Sequence, residues 1–224
     1  MEALIKNFFN LDIMFQAKYL LWLGFQVTLK LSFLSLALAL LGGLSLASLR
    51  ALKITFINVL IIIYVDLFRA LPTIVLFMLV YFTWPYFGIS LPRYWSAVVA
   101  LTINGTAYFE EIFRAGIESI DRGQTEAARA LGLNFSQTML SVILPQAIVV
   151  VLPPATSNSL ELIKTTVLAS VIALPELMKQ ATQAHGSLAN PTPLVAAALI
   201  FLFMLWPLVR LTGFLEKKYG KYAL

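Results

Sequence analysis

Apolar residues in this chain fall into runs of membrane length, not into the short alternations of a half-buried sheet. A helix that crosses a bilayer needs about 20 predominantly apolar residues. Five runs meet or approach that length, over residues 20–49, 54–82, 94–113, 141–174 and 194–211. The first carries Gly42, Gly43 and Ser45, small residues that let a neighbouring helix come close. The second is interrupted by Asp66, Arg69 and Pro72. The fourth is long and broken, with Pro153–Pro154 followed by a polar patch over 157–166. The pattern predicts an all-α integral membrane protein with about five transmembrane helices. No repeat or low-complexity tract divides residues 1–224, so they read as a single transmembrane domain.

Composition agrees. Only 12% of residues are charged, about half the share in a soluble domain, and the mean hydropathy is +0.86. With no cysteine there is no disulfide, thiolate nucleophile or cysteine metal site, and the lone histidine, His185, excludes a multi-histidine site. Residues 1–18, with Glu2, Lys6, Asp12 and Lys18, look amphipathic and lack the basic start and apolar core of a signal peptide.

Basic residues near span ends set orientation, the cytoplasmic side carrying the excess. An outside N-terminus puts Arg50, Lys53, Arg114, Arg122, Arg129, Arg210, Lys217, Lys218 and Lys221 inside and leaves Lys6, Lys18, Arg93 and Lys179 outside. That nine-to-four bias favours an outside N-terminus and a cytoplasmic C-terminus. Trp84 with Tyr86, Tyr94 with Trp95, and Trp206 fall near predicted span ends, where interfacial aromatics belong. The scattered cations explain the pI near 9.5 by topology and do not form a nucleic-acid patch.

A charged, helix-favouring segment separates the third and fourth runs. Asp121 with Gln124 three residues later makes a capping-box start, Gly132 makes a left-handed stop, and Asn134 with Gln137 starts a second helix. Helix, glycine turn and helix then return to the membrane near Pro145. Such a helix either docks in a partner's groove or lies on lipid headgroups.

The residues within it add a resemblance. Glu126-Ala127-Ala128, three residues, Gly132, nine residues, then Val142-x-Leu144-Pro145 resembles the EAA loop of ABC importer permeases, with Val142 where isoleucine is usual. "NGTAYFEEIFRAGIESIDRGQTEAARALG" resembles the third span and loop of the polar amino acid permeases, the histidine/glutamine/glutamate/arginine/opine group. "LFRALPT" resembles that group's FRGTPLL segment, and "LIKTTVLASVIALPEL" its LLKDTSLASVIGVPEL segment, with Thr165 in place of aspartate. The matches run from about residue 66 to 178. They imply a type I ABC importer permease fold with a cytoplasmic coupling-helix loop at about 116–145. Gly123, Glu126, Ala127, Ala128, Leu131 and Gly132 would form the ATPase-coupling interface. The implied partners are two ABC ATPase subunits, a second permease chain (self or sister), an extracytoplasmic solute-binding protein and membrane lipid, in a bacterial inner membrane. The chain has no G-x-x-x-x-G-K-[ST] phosphate loop, so ATP hydrolysis belongs to a partner. The chain reads as a transport subunit and not an enzyme, with no cofactor, catalytic residue or metal site.

Ionisable groups at membrane depth are functional-site hypotheses. An amino acid zwitterion needs an anion for its ammonium and donors for its carboxylate. Glu161 and Lys164 share a helix face beside the predicted break, either as an internal ion pair or as pathway lining. Asp66 and Arg69 have the same spacing; they pair with each other, or Arg69 serves substrate or gate next to the Pro72 kink. Asn104, Tyr108 and Glu111 form one stripe, for interhelical hydrogen bonds or for substrate. Glu110 is expected to pair with Arg114, and His185 to be a solvated loop residue. Arg69, Asn104, Tyr108, Glu111, Glu161, Lys164 and Thr165 are thus the pathway candidates. The main rival is an ion-coupled secondary amino acid transporter with Glu111 and Glu161 as proton sites, which leaves the EAA-like loop without a role. A membrane enzyme lacks a nucleophile or metal set. A scaffold without transport would tolerate joint neutralisation of Glu161 and Lys164.

Overall fold

A computed structural model describes residues 8–219. Glu2, Lys6 and Lys221, used above, lie outside the described residues. Among those described, the chain is helical, with no strand.

Helix α1 (Leu11–Ala51) starts well before the first apolar run because Asn10 caps it: its Oδ1 accepts from the Asp12 and Ile13 amides at 3.0 and 3.2 Å. Part of the stretch that looks amphipathic, from Leu11 to Lys18, therefore forms the first turns of α1. Helix α2 (Thr55–Ala70) and helix α3 (Thr73–Met78) divide the second run. A π turn (Leu79–Thr83) and a 3-10 turn (Trp84–Phe87) extend α3, and the whole is bent by 104° against α2. Leu71 is extended, as a residue before proline prefers, and Pro72 has no amide to offer the Phe68 carbonyl. Asn104 makes up the loss, its Nδ2 donating to that carbonyl at 3.0 Å. The second run is thus a bent pair and not one straight helix.

Helix α4 (Arg93–Glu118) is the central element. By length and apolarity three helical segments qualify as spans, at Leu11–Ala51, Phe135–Ile172 and Thr192–Tyr219, and the bent pair makes a fourth. The polar α4, the third of the five expected runs, fails that test, and protein packs around much of it. Ala97, Ala100, Leu101, Ala107 and Phe109 are all buried. The small residues of α1 permit this: a Cβ on Gly43 would lie 2.5 Å from Phe109 Cβ, and one on Gly42 would lie 2.5 Å from Thr106 Oγ1. Gly43→Leu is therefore expected to cost about 1–3 kcal/mol by overpacking, read as a lower thermal midpoint in detergent. Gly213→Ala, in open space within α9, should not lower the midpoint, since alanine is the better helix former.

The charged segment forms helix α5 (Arg122–Ala130) and helix α6 (Phe135–Thr138). A π turn at Met139–Ile143 leads into helix α7 (Leu144–Thr165), which runs on without a gap into a 3-10 helix (Thr166–Ile172). The expected break at Pro153–Pro154 is absent. The two prolines deprive only the Val149 and Val150 carbonyls of amides, and the helix passes through. The change in helix type comes later, at Thr166, just beyond Lys164. Helix α8 (Leu177–Leu188) and helix α9 (Thr192–Tyr219) follow. Helix α9 reaches Tyr219, so Trp206 lies near its middle, with the Arg210 guanidinium 5.6 Å from its ring centroid. His185 is also corrected: it lies in α8, half-buried, with Nδ1 3.0 Å from the Asn190 carbonyl.

Side chains such as Phe33, Leu41 and Phe203 point outward, as they can where lipid is the solvent. One core cluster joins Leu31, Phe77, Leu101 and Ile172, and another joins Leu21, Leu177, Ala181 and Ala197. Between them Glu176 is fully buried and caps α8, its carboxylate accepting from the Met178 and Lys179 amides at 2.8 and 2.6 Å.

Candidate functional site

At one end of the bundle α5 stands out from the protein. Asp121 caps it, Oδ1 accepting from the Gly123 amide at 2.7 Å. The expected reciprocal bond from Gln124 does not form, because Asp121 closes on the amide two residues on instead. Gly132 (φ 84) ends the helix, its amide donating to Arg129 and the Leu133 amide to Ala128, a left-handed stop. The second start is a complete capping box: Gln137 N to Asn134 Oδ1 at 2.9 Å, and Asn134 N to Gln137 Oε1 at 3.0 Å. Of the motif residues, Glu126, Ala127, Leu131 and Gly132 are exposed, as is Gly123, and Leu131 presents 82% of its surface. Ala128 alone turns inward, 3% exposed, and seats the helix on its own bundle. The outer face is a ridge of small residues with one carboxylate and one leucine.

Further along the bundle, α3, α4 and α7 line a partly open cavity of about 250 Å³, formed by Thr73, Asn104, Tyr108, Asn158, Glu161 and Thr165 with Leu101, Gly105 and Leu162. Its size suits a small solute. Glu161 supplies the negative charge, and Asn158 adds a side-chain amide. Thr73 Oγ1 and Asn104 Oδ1 lie 3.4 Å apart, and Thr165 Oγ1 donates to the Glu161 carbonyl at 2.7 Å. Lys164 binds Glu161 Oε1 at 2.6 Å from outside the lining, with both side chains at least half exposed.

The other predicted charges form a ladder between cavity and loop. Arg69 pairs with Glu111 at 3.7 Å, not with Asp66, and lies 5.5 Å from the Tyr108 ring centroid. Glu111 also accepts from Arg114 at 2.7 Å, and Arg114 reaches Glu118 as well. Arg114 thereby faces away from Glu110, whose expected partner it was. The fully buried Glu110 takes Arg50 of α1 instead, at 3.1 Å. The close approach at Gly43 brings these two helices together.

Four candidates therefore line the cavity: Asn104, Tyr108, Glu161 and Thr165. Arg69, Glu111 and Lys164 sit beside it. Thr73 and Asn158 were missed. Their signals were present: Thr73 follows the Pro72 break, and Asn158 precedes Glu161 by one helical turn.

Comparison with known proteins identifies the family and the fold. Residues 39–221 match the family described as binding-protein-dependent transport system inner membrane component. The probable glutamine ABC transporter permease protein GlnP of Bacillus subtilis is 41% identical, covering 81% of this chain and 85% of that protein. The arginine transport system permease protein ArtQ of the same organism is 36% identical, covering 87% and 90%. The crystal structure of an amino acid ABC transporter with histidines superposes with a TM-score of 0.84 at 33% identity, covering 92% of this chain and 96% of that one.

Proposed function

This chain belongs to the family of binding-protein-dependent transport system inner membrane components, and from that premise we propose that it is the membrane-spanning subunit of an ATP-driven importer for a polar amino acid or a similar small zwitterion. Two permease chains, alike or sisters, would bind two ATPase subunits in a bacterial inner membrane, and a solute-binding protein would deliver substrate from outside. The N-terminus lies outside and the C-terminus with α5 in the cytoplasm, as the nine-to-four distribution of basic residues favours.

The observation that carries this reading is the exposed ridge of α5. Its outer face is free for a groove in the ATPase, while Ala128 ties it to the bundle. Closure of the ATPases moves α5, and α5 joins α4 through the short turn at 119–121. The Arg50–Glu110 pair then passes the load from α4 to α1. ATP thus biases an equilibrium between inward-open and outward-open states. In the cavity, Glu161 receives the substrate ammonium, and Asn158, Thr73 and Arg69 from the edge face its carboxylate.

Uptake of labelled amino acids into cells tests the reading against the ion-coupled rival. It should persist when the proton gradient is collapsed with ATP maintained, and stop when ATP is depleted. The opposite pattern would favour an ion-driven carrier.

A further inference from the structure

The loop end of the bundle holds a second, larger and partly open cavity of about 700 Å³, with α5, α6 and the following π turn on one side and the ends of α1, α2 and α4 on the other. Five cations and one acid line it. Arg50 is engaged by Glu110, and Arg114 by Glu111 and Glu118. Lys53, Arg122 and Arg129 differ: among the described residues none of them has a carboxylate within 4.0 Å. Lys53 is also held at φ 58, at the corner between α1 and α2, a region that non-glycine residues seldom enter. The fold thus keeps three uncompensated cations around one hollow.

The lining also carries an apolar wall of Ile62, Ile117, Phe135 and Met139, beside the polar Asn58, Thr125 and Thr138. Just outside, α2 exposes Phe56 and Ile63 at 74% and 57%. A free anion would use the cations and leave the apolar wall wet. An amphiphile with a phosphate head uses both. Basic pockets between helices at the cytoplasmic face suit acidic lipid headgroups. We propose that this cavity binds the phosphodiester headgroup of an anionic glycerophospholipid from the cytoplasmic leaflet. The cations hold the phosphate, and the first acyl carbons lie along the apolar wall toward α2. The inference rests on the topology proposed above and is independent of the substrate carried.

Native mass spectrometry of the purified permease–ATPase complex tests it, with phosphatidylglycerol and phosphatidylcholine of equal chain length as probes. Wild type should retain phosphatidylglycerol at least about tenfold better. The Lys53→Gln/Arg122→Gln/Arg129→Gln variant should bind the two lipids alike, and the charge-conserving Lys53→Arg/Arg122→Lys/Arg129→Lys variant should keep the preference. If the neutralised triple does not assemble, Lys53→Gln alone should lower the preference several-fold. Equal retention by wild type, or a preference that the neutral substitutions leave intact, would overturn the site. Displacement of the lipid by inorganic phosphate at matched concentration would overturn a lipid occupant in favour of a soluble anion. A preference seen only in permease stripped of its ATPase would do so in favour of an acidic ATPase surface.

Discussion

Glu126→Lys is expected to abolish uptake while leaving insertion and folding intact. Glu126 is exposed on the outer face of α5 and makes no ion pair among the described residues. A surface substitution of this kind changes stability by no more than about 0.5 kcal/mol. Reversed charge at a docking surface is far more damaging, because like-charge contacts cost several kcal/mol. The readouts are transport in cells and copurification of the ATPase, with thermal midpoint as the folding control. Normal uptake by a well-expressed variant would remove the coupling role from this helix.

Glu161→Gln should have the next largest effect, in the cavity and not at the loop. The substitution keeps shape and removes the one negative charge of the lining. Hydrogen bonds to charged groups contribute about 1.5–3 kcal/mol, so substrate affinity should fall about tenfold to a hundredfold, with ATPase assembly unchanged. The Lys164 pair is at least half exposed on both sides, and exposed pairs contribute about 0–1 kcal/mol. A variant that fails to assemble, or transports normally, would leave Glu161 as a structural partner of Lys164 only.

Much of this was legible in the sequence because the signals were local. Run length identified the apolar spans, and capping residues with Gly132 located the helix–turn–helix loop. Gly42 and Gly43 marked the seam against α4. The Glu161–Lys164 pair also followed from spacing. What escaped was non-local. Glu110 and Arg114 are four apart, yet Glu110 binds Arg50, sixty residues away. Asp66 and Arg69 are three apart, yet Arg69 faces Glu111 across two helices. Spacing along one helix cannot rank a neighbour against a partner on another. The bend at Pro72 was read as a kink and is a full turn of direction, stabilised by Asn104 from α4. At Pro153–Pro154 the local rule pointed to a break, and the continuing helix overrode it. His185 and α8 were missed because a short polar helix between spans resembles a loop in composition.

The central claim, a permease that works through a separate ATPase, is tested most directly by the native mass of the complex purified in mild detergent and in native lipid discs. A mass of two permease chains with two ATPase subunits is the predicted result, and it also shows whether the permeases are alike or sisters. A stable assembly without any ATPase in both environments would contradict the account and favour an ion-coupled carrier.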